Sequence, residues 1–172
     1  MNQGGELFGD KARVEIERKF LLEGDAWRAG AEAVRVRQGF LAATERCTVR
    51  VRTVLGRGVM TIKGPTRGFS RHEFEYEIPV EDAEFLLEGF CVGPVIDKVR
   101  HRVSHAGLVW EIDVFEGENA GLVLAEVELD SEDQPVELPP WIGEEVTGDE
   151  RYYNAYLSRH PHSTWGDAPP PE

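Results

Sequence analysis

Apolar and polar residues alternate along short stretches of this chain, and turn residues separate the stretches. In the first, Val14, Ile16, Arg18 and Phe20 share one parity, while Glu15, Glu17 and Lys19 share the other. A period of two is that of a strand, whose successive side chains point to opposite faces. Strands are predicted at 12–22, 34–42, 46–54, 58–64, 70–79, 95–105, 108–116 and 122–130. Leu55-Gly56-Arg57-Gly58, Gly64-Pro65 and Ala106-Gly107 mark breaks between them. Two stretches change to helical spacing. Residues 81–90 place Phe85, Leu86 and Phe90 on one side, and Gly89 and Gly93-Pro94 stop the helix. Residues 149–159 group Tyr152, Tyr153, Tyr156 and Leu157 behind Asp149, a suitable N-cap. Residues 1–11 read as a loose tail and 161–172, with Pro169-Pro170-Pro171, as a disordered end, which leaves 12–160 as one domain. The fold class expected is mainly β with some helix.

The polar parity of these strands is almost entirely charged. Arg46, Thr48, Arg50 and Arg52 oppose Cys47, Val49 and Val51, and Val59, Thr61 and Lys63 oppose Met60 and Ile62. Arg71, Glu73, Glu75 and Glu77 share a face, as do Lys98, Arg100 and Arg102. Glu111 with Asp113 and Glu126 with Glu128 complete the set. A merely wet sheet face mixes in Ser, Thr, Asn and Gln. Here whole strands carry one dominant sign, and like charges across a ladder destabilise it unless something binds them. Two arrangements satisfy the pattern. The charges face solvent over a sandwich core, or they line a barrel whose apolar outer face is covered by helices or a partner. An eight-stranded barrel can enclose one small ligand, but a charged interior without a ligand is costly. Periodicity does not choose between the two.

Composition narrows the classes of function. A chain of 172 residues with 41% apolar content suits one domain with a core. Its net charge of −13 and pI near 4.8 repel nucleic acid and anionic membranes, and would be neutralised by divalent cations. No apolar run is long enough to span a membrane, and the N-terminal residues lack a secretory pattern. Cys47 and Cys91 make neither a disulfide framework nor a metal cluster, so a reducing, cytoplasmic setting is expected. His72, His101, His105, His160 and His162 show no ligand spacing, and there is no Walker-type loop.

Taken in order, the charged strands resemble a known family. Glu15-Ile16-Glu17-Arg18-Lys19 is similar to the ExExK signature of the CYTH superfamily, the triphosphate tunnel metalloenzymes. It is followed by Arg37-Gln38-Gly39-Phe40-Leu41, Arg50-Val51-Arg52, Thr61-Ile62-Lys63, Ser70-Arg71-His72-Glu73-Phe74-Glu75, Lys98-Val99-Arg100, Glu111-Ile112-Asp113 and Glu126-Val127-Glu128. Trp141-Ile142-Gly143-Glu144-Glu145-Val146-Thr147 and Arg151-Tyr152 resemble the short bacterial branch of inorganic triphosphatases. The resemblance covers residues 13–158. It implies a closed eight-stranded antiparallel β-barrel with external helices, charges inside, and a C-terminal helix over one tunnel mouth.

It also implies a chemistry. Guanidinium forks and ammonium groups suit phosphate oxygens, so Lys19, Arg50, Arg52, Lys63, Arg71, Lys98 and Arg100 are the expected substrate clamp. Magnesium or manganese prefers carboxylate and phosphate oxygens, which makes Glu15, Glu17, Glu73, Glu75, Asp113, Glu126 and Glu128 the candidate ligands. Two ions are expected, one bridging phosphate oxygens and one acidifying the attacking water. Lys98, Arg100 and Glu17 are the expected catalytic residues. The reaction so implied is hydrolysis of tripolyphosphate to diphosphate and phosphate. Thiamine triphosphatase, nucleoside triphosphatase and class IV adenylate cyclase use similar sites, and a non-catalytic polyphosphate-binding module is an answer of another class. The expected partner is the small triphosphate, with no nucleic acid and no membrane, and a homodimer is left open.

Overall fold

Nine strands carry the alternating segments in the computed structural model, which describes residues 13–65 and 70–166. They are β1 (Arg13–Leu22), β2 (Glu32–Ala43), β3 (Thr48–Val54), β4 (Arg57–Lys63), β5 (Ser70–Ile78), β6 (Ile96–His105), β7 (Leu108–Phe115), β8 (Val123–Glu128) and β9 (Ile142–Glu145). The sheet order is β5-β4-β3-β2-β6-β7-β8-β1, and β1 pairs back onto β5, so eight antiparallel strands close into a barrel. The eight expected strands are these eight, with their ends moved by a few residues. The ninth, β9, was not expected: four residues including Gly143 are too short to show a period. It adds to β1 where β1 has left β5, beside Phe20 and Leu22. The N-terminal tail expected at 1–11 lies outside the described residues, as do 167–172.

Two hairpins close with two residues at positive φ: Leu55 and Gly56 (52° and 73°), and Ala106 and Gly107 (48° and 82°). Such turns match the right-handed twist of the strands they join. The connection from β2 to β3 is different. Thr44 and Cys47 bond to each other through backbone and hydroxyl groups, N–H to O at 3.0 Å, which closes a tight loop over 44–47. Arg46, expected on the inner face of β3, therefore sits exposed in that loop.

The apolar parity faces outward, so the main core lies outside the barrel. Phe20, Trp110, Ile112, Ala125 and Val127 form the outer wall of β1, β7 and β8, and Trp27, Leu129 and Trp141 cover it. Trp110 packs edge-on against Trp141, with ring centres 5.6 Å apart. On the opposite side, α1 (Val80–Gly89) seals β3 and β4. Its Ala83 and Leu87 pack on Val51, which has no exposed surface. A Cβ at Gly58 would come within 2.8 Å of the Ala83 Cβ, so only glycine lets helix and strand approach so closely.

The C-terminal helix expected over 149–159 is broken. Glu150–Tyr152 form a 3-10 turn capped by the Asp149 side chain, which accepts from the Arg151 N–H at 3.0 Å. Tyr153 is extended (φ −77°, ψ 134°), and only Asn154–Leu157 form α2. The break has a packing reason. Tyr152 and Leu157 join Ile96, Phe115, Leu122, Leu124 and Val146 in an apolar plug at one end of the barrel, while Tyr153 and Asn154 reach the interior above it. Within the stretch expected as a tail from 161, His162–Thr164 form another 3-10 turn, and Trp165 packs edge-on against Tyr152. Among the described residues, no helix is long and apolar enough to cross a membrane.

Candidate active site

The barrel encloses a cavity of about 560 Å³. Strand order sorts the charges that line it. β4, β3 and β6 lie on one side around β2, and bring Lys63, Arg50, Arg52 and Arg100 to one wall. β7, β8, β1 and β5 run consecutively on the other side, bringing Glu111, Glu126, Glu128, Glu15, Glu17, Glu73 and Glu75. Lys19 and Arg71 are cations within the acidic wall. Register fixes the facing pairs: Glu17 opposite Glu128, Lys19 opposite Glu126, and Glu15 opposite Arg71.

Ion pairs run both between the two walls and within the acidic one. Lys63 Nζ lies 2.5 Å from Glu15 and 2.8 Å from Glu73, and Arg71 Nε donates to Glu15 at 2.9 Å. Lys19 Nζ reaches Glu126 at 2.5 Å and Glu17 at 3.2 Å. Arg52 donates to Glu75 at 2.9 Å. Burial opposes the charge on Lys19, but Glu126 and Glu17 outweigh it and hold the ammonium protonated. The converse holds for Glu126: burial disfavours its charge, yet Lys19, Arg100 and Lys98 drive its pKa well below the usual carboxylate range.

Arg50 is less well matched. Burial, then the neighbouring Arg52, lowers its pKa to about 10, still charged at neutral pH. The buried Nε atoms of Arg50 and Arg52 have no hydrogen-bond partner. Guanidinium donors of this kind suit an anionic acceptor. Glu128 shows the opposite imbalance: burial, followed by repulsion from Glu15, Glu73, Glu111 and Glu17, raises its pKa. Unsatisfied guanidinium donors on one wall and crowded carboxylates on the other suit an anion and a cation held side by side. As the side chains stand, no three carboxylates among the described residues are grouped to hold a metal ion. Several of their oxygens are engaged by Lys19, Lys63 and Arg71. The donor set fits a hard divalent cation chemically, and these carboxylates would hold one if those ion pairs exchanged partners.

Of the residues expected from sequence, Glu15, Glu17, Lys19, Arg50, Arg52, Lys63, Arg71, Glu73, Glu75, Arg100, Glu126 and Glu128 all line the cavity. Lys98 and Asp113 lie behind it, 1% and 0% exposed and 2.5 Å apart. Asp113 grips Arg100 with two bonds of 2.7 Å, so the buried pair positions a guanidinium that does reach the cavity. Glu111 and Glu126 also pair with Arg100. Despite its own burial, Arg100 is held well above its ordinary pKa by these carboxylates. Burial wins at Lys98 and lowers it to about 8. Sequence reasoning missed Tyr153 and Asn154, which enter the cavity from the C-terminal segment. The one signal for Asn154 was an amide among the tyrosines of a stretch read as apolar.

The chain is similar to several known proteins. The CYTH domain model matches residues 13–153. An inorganic triphosphatase of Acetivibrio thermocellus is 46% identical over 151 residues, covering 88% of this chain and 97% of the relative. An inorganic triphosphatase of Nitrosomonas europaea is 40% identical over 153 residues, covering 84% and 97%. A crystal structure of an inorganic triphosphatase superposes with a TM-score of 0.61 at 38% identity, covering 84% of this chain and 93% of that one.

Proposed function

This chain belongs to the CYTH domain family, and from that membership we propose that it is a divalent-metal-dependent hydrolase of inorganic triphosphate, releasing diphosphate and phosphate. The observation that carries the reading is the pair of opposed charged walls around one enclosed cavity, in a chain whose relatives are named for this activity. The free cysteines Cys47 and Cys91 suit a cytoplasmic enzyme.

The basic wall binds the anion. Arg50 and Arg52 line the cavity and have unused Nε–H donors, and guanidinium forks match phosphate oxygens in geometry as well as charge. Lys19, Lys63 and Arg71 would exchange their carboxylates for phosphate oxygens. That exchange would free Glu15, Glu17, Glu73 and Glu126, which together with Glu75 and Glu128 would hold magnesium or manganese, in two sites. When bound, such ions neutralise phosphate charge and acidify a water for in-line attack on a terminal phosphorus. Arg100, fixed by Asp113, neutralises charge that develops on the transferred group or the leaving diphosphate. Glu17, on the cavity wall opposite Glu128, is the carboxylate counted among both the catalytic and the metal-holding residues. Lys98 works through Asp113 and, in that position, through Arg100.

The test is direct. Purified protein is incubated with magnesium and, separately, tripolyphosphate, ATP and thiamine triphosphate, and phosphate, diphosphate and cyclic AMP are measured. Rapid phosphate release from tripolyphosphate is expected. Cyclic AMP with diphosphate from ATP overturns the hydrolase reading, and tight polyphosphate binding without turnover leaves a binding module.

A further inference from the structure

The oxygen of the Asn154 amide is committed away from the cavity. Lys98 Nζ donates to Asn154 Oδ1 at 3.3 Å, and Gln38 Nε2 donates to the same atom at 2.8 Å. An ammonium can only donate, so Asn154 must present its carbonyl to Lys98 and not its NH2 group. Gln38 and Lys98 are each 1% exposed, so both donors are fixed within the barrel. Lys98 is held in turn by Asp113 at 2.5 Å. With Oδ1 doubly occupied, the two N–H bonds of Asn154 Nδ2 project from the other side of the amide. Asn154 lines the cavity, next to Tyr153 and Ala155.

We propose that Asn154 is a substrate-contacting residue whose Nδ2 donates to a phosphate oxygen at the plugged end of the tunnel. This rests on the reading of the cavity as a phosphate site. It adds a neutral donor from the C-terminal segment to a clamp otherwise built from charged strand residues. Behind it Tyr152, Leu157 and Phe115 close the barrel with apolar surface, so Asn154 is a polar group at the deep boundary of the site. The Lys98–Gln38 arrangement orients the donor before substrate arrives, and preorganised donors are the effective kind in a water-poor site.

Two variants separate contact from scaffolding. N154A removes both the oxygen and the donor. N154D keeps an oxygen for Lys98 and Gln38 but turns a second oxygen, an acceptor, toward the phosphate. The measurements are kcat and KM for tripolyphosphate with magnesium, tripolyphosphate binding by calorimetry, and Tm. Expected is a KM and Kd about tenfold weaker in N154A. N154D is expected to be weaker still, although its Tm is at or above that of N154A. If N154D restores wild-type KM and Kd, Asn154 is only a structural latch and the proposal fails. Unchanged values in both variants, or unfolding of both, also overturn it. If the wild-type protein binds tripolyphosphate without cleaving it, the hydrolase reading fails while the binding comparison still decides Asn154.

Discussion

Glu17 and Glu128 face each other directly across the β1–β8 ladder, and both line the cavity. Like charges so placed destabilise a sheet, by up to about 1 kcal/mol. No ion pair to Glu128 is found among the described residues, and its raised pKa reflects burial and then the carboxylates around it. The arrangement is understandable if a cation belongs between these walls. E128Q should therefore raise the Tm of metal-free protein, by relieving repulsion, while abolishing the stabilisation that magnesium gives the wild type. Thermal melts with EDTA and with magnesium chloride check both halves. A magnesium increment unchanged in E128Q would remove Glu128 from the metal site.

Asp113 pairs with Lys98 at 2.5 Å and also grips Arg100. D113N leaves two buried cations undercompensated and should cost about 3–5 kcal/mol in urea unfolding. K98M leaves Asp113 paired with Arg100 and should be milder. The double variant D113N/K98M should recover part of the loss. Additive losses would show that the pair is not coupled.

Leu55 occupies a left-handed position (φ 52°) and is 78% exposed at the β3–β4 turn. Asparagine adopts that conformation more readily and is favoured in such hairpins. L55N should stabilise the protein by roughly 1 kcal/mol, the lower end of what a left-handed conformation costs an ordinary residue, with kcat unchanged. Chemical denaturation and a steady-state assay test it together.

Glu145 ties β9 to β1. Its carboxylate takes two bonds from Arg18, at 2.8 and 2.6 Å, and one from Thr147 at 2.7 Å. The Arg18 bonds hold the Glu145 pKa below its ordinary 4.5. A lowered folded-state pKa means stability that is full above the unfolded value and lost as pH falls through the folded one. E145Q should be less stable than wild type at neutral pH by under about 1 kcal/mol, because the pair is partly exposed. The difference should shrink as pH drops below 4.5. A constant difference across acid pH would show that the charge is not what matters.

Parity was enough to identify almost every wall residue, because a strand face is a local property. Whether that face pointed in or out was not local, and periodicity left it open until the resemblance supplied a barrel. Strand order is also hidden in the sequence. The acidic stretches around Glu15, Glu73, Glu111 and Glu126 are scattered along the chain, yet β7, β8, β1 and β5 are neighbours in the sheet. Depth is the other property that parity cannot express. Lys98 and Arg100 share a face, but Lys98 lies near the plugged end and is sealed, whereas Arg100 reaches the cavity. The break at Tyr153 escaped notice because its tyrosines satisfy helical spacing. Only the contrast between the plug beneath Tyr152 and the charged space beside Tyr153 forces the chain to change course.

The placement of the core has a consequence for how this protein can vary. In most barrels of this size the side chains that stabilise the fold also fill the interior, so a new ligand means repacking the foundation. Here the stabilising apolar contacts of Phe20, Trp110, Ile112 and Trp141 lie on the outer wall, and much of the lumen is left to recognition. Exchanging one lumen charge together with its partner leaves the outer packing untouched. Substrate preference can thus be changed by paired exchanges in the lumen while the outer core stays as it is.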